Sequence, residues 1–183
     1  MACRIEAGGV RYRQGVPIPE FVVDLRRRIG HDPLWLMASS GIVLREVDGV
    51  EHVLLVRRSD NGQWAVPAGI IDPGEEPHVT AVREVQEETG VTCRVERLAW
   101  VYAGPPLVHV NGDKAQYLEH VFTCSWVSGE PFAADEESTE ADWFGLDELA
   151  AMASHQRARI AAGRADGIPW LGLDEGLAQA GES

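Results

Sequence analysis

The chain has 183 residues, 45% of them hydrophobic and 25% charged, the size and mix of one folded domain with a sizeable core. That balance excludes a disordered chain, a collagen and a small disulfide scaffold. Sixteen Lys and Arg against 29 Asp and Glu give a formal charge of −13, which repels nucleic acid polymers and anionic membrane surfaces.

In chain order, Phe21, Val22, Leu25 and Ile29 recur at helical spacing and predict a short helix over Pro17 to Gly30. A strand from Leu34 to Val47, the turn Asp48-Gly49 and a buried run within His52 to Arg57 read as a hairpin. Trp64 to Val66 is a short extended piece, and Pro73-Gly74 a turn. Pro77 to Thr89 is a helix, with Pro at a tolerated early position and Gly90 as its stop. Strands follow over Val91 to Tyr102 and Leu107 to Val110, and Asn111-Gly112 turns the chain into a third over Gln116 to Val127. Leu146 to Ala162 reads as one helix, and Pro169 to Ser183 as a loosely packed tail. The fold class is mixed α/β, of the α+β kind, in one domain. The expected boundaries are an extension over 1–33, a domain over 34–165 and a tail over 166–183.

Cys3, Cys93 and Cys124 are odd in number and too far apart for a paired framework or a metal knuckle. Free thiols fit a reducing compartment. Arg4 and Glu6 interrupt what would be the apolar stretch of a leader in Met1 to Val10, and no later run reaches membrane-spanning length. The expectation is a soluble, cytoplasmic protein.

The acid excess is localised. Residues 69–91 carry six acids and one base, and residues 130–148 carry eight acids and no base, so these two segments account for the whole net charge. Either run alone could be a solvated face. Two together suggest a cation between them, because crowded carboxylates repel unless neutralised and hard cations such as Mg2+ prefer oxygen ligands.

The helix over Pro77 to Thr89 carries the chemistry. Spacings of three and four return to one face, so Glu84, Glu87 and Glu88 point the same way, while Val79, Val82 and Val85 are expected to dock on a sheet and leave the acids facing outward. Like charges one turn apart cost a few tenths of a kcal/mol per pair. Arg83 offsets part of that, and a bound cation would supply the rest. Ahead of the helix, Gly69 is the likeliest main-chain carbonyl donor, and Glu75 either caps free N–H groups or hydrogen-bonds Arg83.

Gly69, five residues, Glu75, seven residues, Arg83-Glu84-Val85, one residue, Glu87-Glu88, one residue, Gly90-Val91 resembles a complete Nudix box, within a domain-level resemblance from about Leu34 to Leu149. The resemblance implies a β-sheet sandwiched between helices, with the box as a loop-helix-loop. It also implies Mg2+- or Mn2+-dependent hydrolysis of a nucleoside diphosphate linked to another moiety. Glu84, Glu87, Glu88 and the Gly69 carbonyl would be metal ligands, and Arg83 and Glu75 would orient the carboxylates. The general base would be a box glutamate or an acid on a later loop, the acidic segment from Gly129 to Phe144. Glu137, six residues before Trp143, resembles the supplementary metal-binding glutamate of MutT-type members, with Glu136 and Glu140 as alternatives. Ala68 stands where the family usually has glycine.

Substrate is less marked. Pro106 resembles a proline of ADP-ribose pyrophosphatases in its placement, or merely breaks a strand. Trp100, Tyr102, His109 and Tyr117 could stack on a base or pack the core. Arg57 and Arg58 could reach a phosphate or a terminal ribose, or form a solvated strand end; His120 reads as packed, Lys114 as solvent-facing, and three cysteines cannot build a four-cysteine zinc module. The expected ligand is a small nucleotide-diphosphate molecule such as ADP-ribose or a nucleotide sugar. The alternatives are a nucleoside triphosphate, a nucleotide-sensing module without turnover, or a structural cation clip. Pairing into a homodimer is compatible with the family resemblance.

Overall fold

A computed structural model describes residues 18–135 and 137–181; the expectations for Met1 to Val10, Cys3 and Glu136 lie outside the described residues. Helix α1 (Glu20–Ile29) leads into β1 (Leu34–Val47) and β2 (Val50–Arg58). These two strands pair antiparallel up to Val47↔Val50, and Asp48 (φ 52°) and Gly49 (φ 78°) both take the left-handed conformation of a tight two-residue hairpin turn. Short strands β3 (Trp64–Ala65) and β4 (Ala68–Ile70) precede helix α2 (Pro77–Thr89). Strands β5 (Thr92–Ala103), β6 (Leu107–Val108), β7 (Lys114–Ser128) and β8 (Ser138–Gly145) follow. A 3₁₀ turn over Leu146–Ala151, helix α3 (Ser154–Arg164), β9 (Trp170–Leu171) and α4 (Leu173–Gly181) complete the described chain.

The sheet runs β3-β2-β1-β7-β5-β9, with β1 and β7 parallel over Leu34↔Ala115 to Leu44↔Ser125. Helix α2 covers one face, where Ala81 and Val85 meet Val43, Leu54, Phe122 and Cys124. Helix α3 covers the other, where Ala158 and Ala162 meet Ile42, Val121 and Trp100. The sandwich implied by the resemblance is present. Glycines set the helix distances: a β-carbon at Gly41 would lie 2.8 Å from Val85, and one at Gly163 would lie 2.6 Å from Ile42. Among the described residues, no helix is long and apolar enough to cross a membrane.

Three expectations need correction. Residues 146–162 are not one helix, because Met152 and Ala153 are extended and separate the 3₁₀ turn from α3. The tail is packed: Trp170 is buried, pairs Trp100 in register, and Gly172 accepts a 2.8 Å hydrogen bond from Trp100 Nε1. The acidic segment from Gly129 to Phe144 is not loop throughout, since residues 138–145 form β8 antiparallel to β2.

Candidate active site

Helix α2 is fixed at both ends by its sequence. Pro77 supplies the first turn, Glu76 precedes it in extended conformation, and Gly90 (φ 71°) terminates it with its N–H on Gln86 O at 2.9 Å. The buried face is Thr80, Ala81, Glu84, Val85, Glu88 and Thr89, while Val79 is 47% exposed. The helix is therefore rotated from the expected setting. Glu84 and Glu88 turn toward the sheet side under β4, and of the three acids only Glu87 faces outward, at 54% side-chain exposure.

Strand β4 explains the rotation. Gly69 pairs Ser39 of β1, and the Glu84 carboxylate lies directly against the Gly69 α-carbon, so any side chain there would overlap it. Ala68 N–H points to Glu88 Oε1 at 3.4 Å. The box turn thus roofs two buried carboxylates. Burial pushes Glu84 above the ordinary carboxyl range while Arg83 pulls it back, and burial, then Glu84 and Glu137, raise Glu88 well above it.

Arg83 is the hub. It gives Glu75 two hydrogen bonds of 2.9 Å, reaches Glu84 at 2.7 Å and Glu87 at 2.9 Å, and touches the Ile70 carbonyl at 3.3 Å. Glu75 also accepts from Thr80 Oγ1 at 2.7 Å, so its carboxylate serves Arg83 and Thr80, and α2 has no side-chain cap. The Arg83 fork, with Thr80, holds Glu75 down at about 2. The Thr80 contact escaped sequence reading, although its place five residues after Glu75, on the buried face, was a usable signal.

Glu137 comes from the loop before β8. Its carbonyl accepts Ser59 N–H at 2.8 Å and its own N–H donates to Asp135 at 2.9 Å. Burial, then Asp135 and Glu84, raise its carboxyl to about 7. Glu140 lies apart from this group, bound to Arg57 at 2.7 Å. Among the described residues, no three acidic, histidine or cysteine side chains converge closely enough to enclose an ion as they stand, and Arg83 is the counter-charge in their midst.

The other candidates divide. Trp100 and Tyr102 are core residues, and Tyr102 receives Arg159 Nε at 2.9 Å. His120 packs with Nδ1 3.2 Å from Ala38 O, and Lys114 and Pro106 are exposed. His109 and Tyr117 form an edge-on ring pair joined by a 3.1 Å hydrogen bond. Cys93 and Cys124 are buried free thiols.

Residues 35–171, with the whole box inside them, match the NUDIX domain family. The chain belongs to the Nudix family, enzymes that hydrolyse pyrophosphate bonds. It is 35% identical over 117 residues to a MutT-like protein of Streptomyces ambofaciens, covering 64% of this chain and 68% of that protein. It is 32% identical over 114 residues to an ADP-ribose pyrophosphatase of Methanocaldococcus jannaschii, covering 58% and 64%. The chain thus spans about two thirds of the length of these relatives. Among solved structures, a UDP-X diphosphatase shares the fold with a TM-score of 0.60 at 22% identity, over 84% of this chain and 74% of that one.

Proposed function

We propose that this protein is a divalent-metal-dependent pyrophosphohydrolase that cleaves a nucleoside diphosphate linked to another group, ADP-ribose or a nucleotide sugar ahead of nucleoside triphosphates. The observation that carries the reading is the grouping of Glu84, Glu87 and Glu88 on one stretch of α2 beneath Gly69, with Glu137 brought from the facing loop. The ADP-ribose pyrophosphatase among the relatives supports the substrate class.

The donor set fits Mg2+ or Mn2+. Its members are hard oxygens, and two of them, Glu84 and Glu88, are buried against one another at a cost that a cation would relieve. Glu84, Glu87, Glu88, the Gly69 carbonyl and Glu137 are the residues that would hold it. When bound, such an ion neutralises the diphosphate and lowers the pKa of attacking water. Packing fixes Glu84 and Glu88, whereas Glu87, among the described residues, is held by Arg83 and can turn to a ligand. Glu75 anchors the guanidinium, so Arg83 orients Glu84 and Glu87 together. Glu137, titrating near neutrality, is suited to accept the proton of the attacking water.

The test is a panel of ADP-ribose, nucleotide sugars and nucleoside triphosphates in Mg2+, with products identified by mass. Cleavage of ADP-ribose to AMP and ribose 5-phosphate, abolished by chelation, is the expected result. Turnover that survives chelation contradicts the mechanism, and tight nucleotide binding without turnover in Mg2+ or Mn2+ would favour a sensing module.

A further inference from the structure

The connection from β7 to β8, residues 129–137, carries Glu137 to the acids of α2 by docking on the C-terminal end of that helix. A helix leaves its last carbonyls without partners in its own ladder. Here the connection supplies donors: Phe132 N–H reaches Thr89 O at 3.1 Å, and Ala134 N–H reaches Glu88 O at 3.2 Å. The second bond falls on the residue whose carboxylate would hold the cation. Ala134 stands three residues before Glu137. That spacing leaves at most about 10 Å of extended chain between the anchored backbone and Glu137. At the far end, Ser59 N–H holds the Glu137 carbonyl at 2.8 Å.

One side chain seats the connection. The Phe132 ring lies against Gly90, and its atoms fill the space that a β-carbon there would need. Gly90 also takes φ 71° to end α2, so the helix stop doubles as the seat of the ring. The chain passes the same glycine at Gly129, where a β-carbon would lie 3.0 Å from the Gly90 carbonyl oxygen. Phe132 is nevertheless 59% exposed. A ring left so far in water gains little from burial, so its contact with Gly90 bears more on where the connection lies than on how firmly the chain folds.

We propose that Phe132 is a positioning residue for the hydrolysis: its ring, seated on Gly90, sets the connection so that the Glu137 carboxylate stands by Glu84 and Glu88. The assignment rests on the functional reading above and adds to it a residue that acts through Glu137. Steady-state kinetics with ADP-ribose in Mg2+ would compare wild type, Phe132→Ala, Phe132→Leu, Phe132→Tyr, Glu137→Gln and the double variant Phe132→Ala/Glu137→Gln. Val127→Ala, at another exposed apolar residue near the end of β7, is the control. A shift of about 1 Å in a reacting group can cost on the order of 10²-fold in rate, so Phe132→Ala should lower kcat roughly tenfold or more while KM stays within about twofold. Phe132→Tyr keeps the ring and should restore most of the rate. Phe132→Leu keeps apolar bulk without the flat ring and should fall between, and it carries the comparison if the alanine variant does not fold. In the double variant the two losses should not multiply, because a shifted connection cannot misplace a carboxylate that is already gone. Val127→Ala should match wild type, and melting temperatures check that each variant is folded. An active wild type whose kcat is unmoved by Phe132→Ala and Phe132→Leu, a rise in KM in place of the fall in kcat, losses that multiply in the double variant, or a Glu137→Gln enzyme as fast as wild type each overturn this inference alone. A wild type that cleaves no member of the substrate panel in Mg2+ or Mn2+ overturns the functional reading, and this inference with it.

Discussion

The α-carbon of Gly69 is in direct contact with the carboxylate of Glu84, which leaves no room for a β-carbon between β4 and α2. Gly69 does not have a positive φ, so space is the constraint there, not backbone freedom. Gly69→Ala must push Glu84 aside or lift β4 from β1. The expected outcome is a folded protein whose turnover falls by on the order of 10², with weaker Mg2+ affinity in the same preparation. Wild-type turnover in Gly69→Ala would show that the close approach is incidental.

Glu87 offers the opposite case, an acid whose loss should be felt in chemistry and not in folding. Its side chain is 54% exposed and its hydrogen bond is to Arg83. An exposed ion pair of that kind contributes about 0.2–1 kcal/mol. Glu87→Gln should therefore melt within a few degrees of wild type while its rate drops by on the order of 10² or more if its charge holds a catalytic cation. Steady-state assays beside thermal melts decide the matter, and equal losses in both would count against the assigned role.

Glu75 links the site to acid stability. Arg83 holds its carboxyl at about 2 in the folded chain against an ordinary value of 4.5. A depressed pKa contributes stability that is fully present above about 4.5 and is lost as pH falls toward about 2. Glu75→Gln removes that titration. Its denaturant midpoint should lie below the wild-type value at pH 6, and the gap should narrow as pH falls from 4.5 to 2. A gap constant across that range would mean the ion pair does not drive the effect.

Much of this architecture is legible from local signals. Asp48-Gly49 announces the first hairpin, and Pro77 with Gly90 brackets α2 to the residue, because each meets a backbone demand within a few positions. The orientation of α2 is not legible. Whether Glu84 and Glu88 face solvent depends on β4, three residues that pair with Ala38–Ser40 some thirty positions earlier. β8 was hidden by its own charges: Glu140 and Asp142 are exposed residues of a strand whose Trp143 and Phe144 lean inward. Glu137 could be marked as a candidate from its spacing to Trp143, but its place near Glu84 and Glu88 comes from the long-range tie between Ser59 and its carbonyl.

The tail makes the same point and can be tested. Trp170 is 8% exposed and meets Trp100 edge-on at 6.0 Å, and α4 approaches so closely that a β-carbon at Gly176 would overlap the Trp100 ring. Removing a buried tryptophan costs about 3–5 kcal/mol. Trp170→Ala should lower chemical stability by that order without altering KM for substrate. A loss under about 1 kcal/mol would return the segment to the loosely packed state that its composition suggests.

The raised carboxyls predict that cation uptake is coupled to protons. Burial and mutual repulsion push Glu84 up, Glu88 well up and Glu137 to about 7. Groups with elevated folded pKa values favour the folded state at low pH and lose that contribution as pH rises through the folded value, here near 7 for Glu137. Metal ligands must be deprotonated, so Mg2+ binding at pH 7 should release protons, and calorimetric heats should change with the ionisation enthalpy of the buffer. The release should shrink at pH 8.5 and in Glu137→Gln, and the rise in melting temperature on adding Mg2+ should be larger at pH 8 than at pH 6. Heats independent of buffer at pH 7 would mean that these carboxylates are already ionised or do not bind the metal.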